Sequence, residues 1–145
     1  MTPLNLNGLV AAVVTPMDHR GEINLSVIPQ IVNHLESKGI VGIYILGSTG
    51  EGISLTDEER RSVASCYVAE SKGRLKSIVQ VGHNSLKSSA ELAGHAASIG
   101  ADAISATPTG YFKVSDEREL VEGLLEIGKS PVDLEKIQHG QQHHF

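Results

Sequence analysis

Four short apolar segments recur along the chain at intervals of about thirty residues, and this repeat constrains the fold more than any other feature. They are residues 9–14, 42–46, 77–81 and 103–106. Each is rich in β-branched or small residues and is bounded by Gly, Pro, Ser or Thr, which is typical of a buried strand. Helical patterns fill the intervals. The alternation predicts a parallel sheet whose crossovers are helices.

The predicted helices have recognisable faces and starts. Residues 27–35 place five aliphatic side chains on one face at helical spacing. The segment that starts at Thr56 reads as a capping box, in which the Thr56 hydroxyl accepts from the Glu59 amide while Glu59 reaches back. Two more helices are predicted over about residues 86–99 and 115–128.

Two architectures fit this repeat, a (β/α)₈ barrel and a doubly wound open sheet. A barrel needs about 250 residues, and the four units in these 145 residues amount to half of one. An open sheet could close its core at this length, so the pattern alone leaves both open. We expect residues 1–127 to carry the repeat. Residues 128–145 depart from it, supply no fifth strand and are predicted to be a disordered tail.

Composition excludes several classes of function. The formal charge of −5 argues against nucleic acid, because neutralising phosphates needs a basic face. Cys66 is the one cysteine, so no internal disulfide is possible and a reducing compartment is expected. No signal-peptide pattern and no apolar run of membrane-spanning length appears, so we expect no membrane association and a cytoplasmic location.

The most informative stretch is the glycine loop (residues 47–52), which follows the second predicted strand. Carboxyl ends of parallel strands are where such folds place their ligands. Gly47, Gly50 and Gly52 allow tight turning and expose backbone N–H groups, while Ser48 and Thr49 add hydroxyl donors. The combination predicts a site for a small carboxylate or phosphate. A plain glycine-rich turn fits equally well, and a P-loop is excluded because GK[ST] is missing.

Several segments resemble one family. GSTGEGISLTDEER resembles the GxTGE signature of the family that contains N-acetylneuraminate lyase and dihydrodipicolinate synthase. GLVAAVVTPMDHRGEINLSVIPQIVNHL is similar to its first strand and helix, and VGHNSLKSSAELAGHAASIGADAISATP to its third and fourth units. The resemblance covers roughly 120 of the 145 residues. Within the family, GEIN and VGHNSLKSSAELA are closer to the sialic acid lyases than to the lysine-pathway synthases.

The resemblance implies a (β/α)₈ barrel, here about its first four βα units, and a class I aldolase that uses a Schiff-base lysine. A sialic acid lyase cleaves sialic acid to pyruvate and N-acetylmannosamine. Ser48 and Thr49, flanked by Gly47 and Gly50, match the positions that hold the pyruvate carboxylate, and Tyr111 matches an aromatic position at the mouth of the site. The implied ligand is pyruvate or another small 2-oxo acid, with no cofactor, in a homo-oligomer.

The catalytic residues implied by the resemblance are not found in this sequence. The family's lysine lies on the sixth strand and its proton-relaying tyrosine on the fifth. A Schiff-base lysine needs a desolvated pocket that lowers its pKa, and Lys113, which follows the fourth segment, is predicted to be a solvated loop residue. We expect no catalytic residue here and no activity of the chain alone. The alternatives are a dihydrodipicolinate-synthase-like aldolase and a non-catalytic small-carboxylate binding or assembly module.

Histidines suggest one contact and no metal site. His139, His143 and His144 cluster in the tail, but no carboxylate or cysteine completes a ligand set, so no metal is predicted. His83, after the third segment, lies on the side of the site and is either a ligand contact or a loop histidine bonded to backbone.

Half a barrel would leave its first and last strands as open edges. Unpaired N–H and C=O groups at residues 9–14 and 103–106 favour association. We also expect an apolar inner face, with Val13, Ile45 and Val79 on one side of the sheet or the other. The chain is therefore predicted to associate.

Overall fold

A computed structural model of the chain describes residues 4–108 and 116–129. The strands β1 to β4 span Val10–Ala12, Gly42–Ile45, Lys76–Gln80 and Ala103–Ser105. The helices α1 to α4 span Ile28–Ser37, Asp57–Ser71, Leu86–Ser98 and Glu117–Gly128. Short 3-10 turns precede α1 at Leu25–Val27 and α2 at Gly52–Ser54. All four predicted strands and all four predicted helices are present, with ends shifted by at most two residues.

The four strands form one parallel sheet in chain order, β1-β2-β3-β4. A doubly wound sheet changes direction at a switch point, so that its strands are not in sequential order. Sequential parallel strands, each followed by a helix, are the wall of a (β/α)₈ barrel. The described part of the chain is therefore half a barrel, and the open-sheet alternative is not the fold.

One face of the sheet is covered by helices and forms the core. Side chains alternate between the faces of a strand, and Ile43, Ile45, Val79 and Val81 on the covered face are at most 2% exposed. Val13 is buried on the same side. The three residues that we expected on one face or the other, Val13, Ile45 and Val79, therefore all belong to the helix-covered core.

The opposite face, which corresponds to the inside of a barrel, is mixed. Along β2 and β3 it carries Tyr44, Ile78 and Gln80, none of them fully buried. On β1, Val10 is 38% exposed, and Val14 just beyond the strand is 50% exposed. The expectation of an apolar inner face was wrong in this respect, because polar and aromatic side chains occupy much of it.

The predicted capping box is present at the start of α2. The Glu59 amide donates to Thr56 Oγ1 at 3.2 Å, and the Thr56 amide donates to the Glu59 carboxylate at 2.8 Å. These hydrogen bonds lower the pKa of Glu59 below its ordinary value. Helix α4 begins two residues later than predicted, with Asp116 as its N-cap accepting from the Arg118 amide at 2.9 Å.

Candidate functional site

The glycine loop leads from the carboxyl end of β2 to the turn before α2, and the backbone is strained at one residue just before the loop and at one residue within it. Leu46 and Glu51 have φ of 63° and 53°. Such values cost a residue with a side chain on the order of 1–3 kcal/mol and concentrate at functional loops. Backbone bonds from Glu51 to Ser48 at 3.1 Å and from Gly52 to Gly47 at 3.3 Å close the turns.

The glycines of the loop leave room for close packing. A Cβ on Gly47 would lie 2.5 Å from Cε1 of Tyr44, well inside van der Waals contact. A Cβ on Gly52 would collide with the carbonyl oxygen of Leu46. Neither glycine has φ in the left-handed region. The loop therefore folds back over the end of its own strand, and only glycine leaves room for this.

A second segment, directly after β1, holds the loop from the other side. The buried hydroxyl of Thr15 donates to the Gly50 carbonyl at 2.7 Å. One residue earlier, the Val14 carbonyl accepts from the Tyr67 hydroxyl of α2 at 2.7 Å. Burial raises the pKa of Tyr67. Reasoning from sequence missed Thr15 as a support; the only signal was a Thr-Pro pair immediately after a strand.

Ser48 and Thr49 are exposed at the outer surface of this loop. Within residues 4–108 and 116–129, neither their hydroxyls nor their amides donate to a protein acceptor. Ser48 and Gly47 line a cleft of about 130 Å³ at the carboxyl ends of β2, β3 and β4. Thr49 lies beside the cleft and Gly50 is buried beneath the loop. The loop thus presents several unused donors at the face where barrels bind ligands.

Arg60 places a positive charge at the base of the cleft. It comes from α2, is 2% exposed, and donates to the Gln80 and Gly82 carbonyls at 2.9 and 3.1 Å. Burial lowers its pKa, but arginine remains protonated in proteins. None of the ion pairs in the described ranges includes Arg60. Asp57 attracts this charge from a greater distance than an ion pair, and the positive charge of Arg60 makes the cleft favourable to an anion.

His83 lines the same cleft and is also bonded to backbone. Its Nδ1 accepts from the Ser85 amide at 2.9 Å, so the neutral ring carries its proton on Nε2. Nε2 lies 3.7 Å from Asp57 Oδ1. His83 therefore lines the cleft and also bonds to backbone, so its position fits both predicted roles, a ligand contact and a loop histidine bonded to backbone.

Other predicted positions lie outside the described residues. These are Tyr111, Lys113 and the tail histidines, together with the start predicted for the fourth helix. Within the described ranges no group of three or more His, Cys, Asp or Glu side chains is arranged to bind a metal. The same ranges contain no helix long and apolar enough to cross a membrane.

The fold defines the class: these residues form half of a (β/α)₈ barrel with a glycine-rich loop at its carboxyl face. The chain belongs to the Dihydrodipicolinate synthetase family, whose sequence profile matches residues 5–127. The family predicted from the GSTGEG segment and its neighbours is therefore confirmed, as is the half barrel.

Relatives within the family are lyases. The N-acetylneuraminate lyase of Danio rerio is 47% identical over 131 residues, which are 89% of this chain and 43% of that protein. The structure of Proteus mirabilis N-acetylneuraminate lyase superposes with a TM-score of 0.83 at 39% identity, over 89% of this chain and 43% of the other. The structure of a Bacillus anthracis dihydrodipicolinate synthase superposes with a TM-score of 0.77 at 29% identity, over 86% of this chain and 43% of the other. The chain spans less than half the length of these relatives.

Proposed function

We propose that the chain contributes the carboxylate-binding part of a class I pyruvate aldolase of the N-acetylneuraminate lyase type. The observation that carries this proposal is the pair of free hydroxyls and amides of Ser48 and Thr49 at the carboxyl end of β2. The ligand is pyruvate or another small 2-oxo acid. Higher identity to the lyases than to the synthase supports the lyase over a dihydrodipicolinate-synthase-like enzyme.

The chemistry of the loop suits a carboxylate. Its oxygens accept hydrogen bonds only, and each bond from a neutral donor to a charged acceptor contributes about 1.5–3 kcal/mol. The charge of Arg60 at the base of the cleft adds attraction. Thr15 and the close packing of Gly47 hold the loop before any ligand arrives. A loop ordered in advance loses less entropy on binding.

The aldol step needs an amine that the described residues do not supply. Among the lysines that the structure describes, Lys76 belongs to a strand. It lies at the amino end of β3, however, and its ammonium group pairs with Asp102 at 2.9 Å. Family resemblance assigns the Schiff-base lysine and the tyrosine to later strands. We therefore expect the 145 residues alone to bind pyruvate without cleaving a sugar acid. The alternative function, a non-catalytic carboxylate-binding module, predicts the same outcome.

Borohydride distinguishes catalysis from binding. Reduction in the presence of pyruvate traps a Schiff base covalently, so the mass of an active aldolase increases. We expect no added mass and no pyruvate release from N-acetylneuraminate by this chain. Saturable release together with an adduct would show that an amine in these 145 residues forms the imine.

Pyruvate binding is tested by titrating ¹⁵N-labelled chain. The amides of Ser48 and Thr49 should shift with ligand. Thr49→Val removes one donor and should weaken affinity by about 1–3 kcal/mol, which is roughly 5- to 150-fold. Ser98→Ala is the control, because the Ser98 hydroxyl bonds at the far end of α3. Equal affinity of the Thr49 variant and the control would reduce the loop to a plain turn.

We also propose a homo-oligomer in the cytoplasm. The β1 edge supports association, because Leu9 is 73% exposed and Val10 and Val14 are partly uncovered beside it. The single cysteine, Cys66, supports a reducing compartment.

A further inference from the structure

Tyr44 connects two strands across the inner face of the sheet. Its hydroxyl donates to Ser105 Oγ on β4 at 2.9 Å. In the strand register Tyr44 pairs with Ile78 of β3, and Ile78 pairs with Ala103 of β4. The phenol ring therefore extends diagonally past β3 to reach Ser105. This bond fixes the far end of the ring to a strand that has no backbone contact with β2.

The other contact of the ring is with the glycine loop. An added Cβ on Gly47 would lie 2.5 Å from Cε1 and 2.8 Å from Cδ1 of Tyr44. The Gly47 backbone therefore lies directly against the edge of the ring. The contact arises because the chain turns back at Leu46, whose φ is 63°. Ser48, with its unused donors, is the next residue after Gly47.

We propose that Tyr44 is a positioning residue for the carboxylate donors of Ser48 and Thr49, an inference that rests on the proposed function. The ring sets the height of Gly47 above the sheet, and the bond to Ser105 keeps the ring from rotating away. Hydrogen bonds weaken steeply as distance and angle depart from their optimum. A small displacement of Gly47 therefore moves the donors out of range of a bound carboxylate.

Three variants separate the two contacts of the ring. Tyr44→Phe keeps the ring and removes the bond to Ser105, Ser105→Ala removes the same bond from the other side, and Tyr44→Ala removes both contacts. Ser77→Ala is the matched control, because Ser77 is a buried strand serine bonded to Asp102 at the opposite end of the sheet.

The first readout is pyruvate affinity measured by NMR on the 145-residue chain. Tyr44→Phe and Ser105→Ala should each weaken binding about three- to tenfold, and the double variant should weaken it no more than either alone. Tyr44→Ala should weaken it beyond tenfold. Ser77→Ala should lower thermal stability and leave affinity unchanged. If Tyr44→Ala is folded and binds pyruvate as tightly as the unsubstituted chain, the inference is wrong and the proposed function stands.

The second readout needs no ligand, so it distinguishes a failure of the proposed function from a failure of the inference about Tyr44. The Glu51 and Gly52 amides are bonded within the loop, so their hydrogen-exchange protection reports loop order. Tyr44→Ala should speed their exchange at least tenfold, and Ser77→Ala should not. If the unsubstituted chain fails to bind pyruvate, the proposed function fails. Faster exchange in Tyr44→Ala would still support positioning of the loop, and unchanged exchange would overturn it.

Discussion

Replacing Tyr67 by Phe tests whether α2 supports the end of β1 through a buried hydroxyl. The Tyr67 side chain is 0% exposed, and its hydroxyl donates to the Val14 carbonyl at 2.7 Å. The substitution keeps the ring and its packing but leaves this carbonyl without its donor. We expect the free energy of unfolding to fall by about 1–2 kcal/mol at neutral pH. In a domain of this size that lowers the melting temperature by about 3–8 °C.

Alkaline pH should narrow the difference in unfolding free energy between the Tyr67→Phe variant and the unsubstituted chain. Burial raises the pKa of Tyr67 above its ordinary value of 10.0. The unfolded chain therefore loses this proton near pH 10 while the folded chain keeps it. Stability from the buried phenol is complete below pH 10 and is lost as pH rises towards the folded-state pKa. The loss is about 1.4 kcal/mol per pH unit, and the Phe variant does not undergo it.

Urea unfolding followed by circular dichroism, from neutral pH to about one unit above pH 10, measures both effects. The deficit of Tyr67→Phe should shrink by about 1.4 kcal/mol in total between neutral pH and one unit above pH 10. Other groups that titrate in this range are common to both proteins and cancel in the difference. A deficit that stayed constant with pH would refute the burial of the hydroxyl. No deficit at neutral pH would refute the bond to Val14.

Three further predictions concern the loop, the capping box and the sheet edge. Gly52→Ala should destabilise the chain by about 2 kcal/mol or more in thermal unfolding, because its Cβ meets the Leu46 carbonyl. Gly123→Ala, a helical position where the added Cβ would meet Leu86 at an ordinary van der Waals distance of 3.6 Å, should instead stabilise it by about 0.5–1 kcal/mol. The bonds from Thr56 lower the pKa of Glu59 from 4.5, so their stabilisation is present above that pH and is lost in acid. Glu59→Gln should flatten this decline in melting temperature. Sedimentation at micromolar concentration should show species larger than a monomer, and a compact monomer would contradict the open-edge argument.

Local sequence patterns predicted the elements of this fold well. Strand positions followed from apolar runs, and the Thr56 capping box follows from residues three apart, so neither depends on distant contacts. The strained backbone at and next to the glycine loop was not predictable from local sequence patterns. Leu46 and Glu51 adopt positive φ although glycines stand beside them. The glycines are needed where backbone approaches a side chain or a carbonyl, which depends on the folded surroundings.

The difference between local and distant contacts also explains which residues of the candidate site could be predicted. Ser48 and Thr49 were placed correctly at a carboxyl strand end because parallel strands bring those ends to one face. Arg60 was missed, because a charged residue in the first turns of a helix is normally solvated. Here its guanidinium donates to the carbonyls of Gln80 and Gly82 at the carboxyl end of β3, which are 20 and 22 residues further along the chain. Tyr44 was missed because its partner Ser105 is 61 residues away.

The residues that hold the glycine loop belong to the half barrel. Thr15, which bonds to Gly50, follows β1, and Tyr44, which packs against Gly47, belongs to β2. None of these contacts needs a later strand, so the carboxylate donors can be ordered in these residues by themselves. Under the proposed function, the imine-forming lysine lies on a later strand, as the family resemblance implies. Binding of the carboxylate and the covalent step are then supplied by different halves of the barrel. A loop that binds pyruvate without the amine holds the ground state only and gives no rate enhancement, since catalysis requires interactions stronger in the transition state.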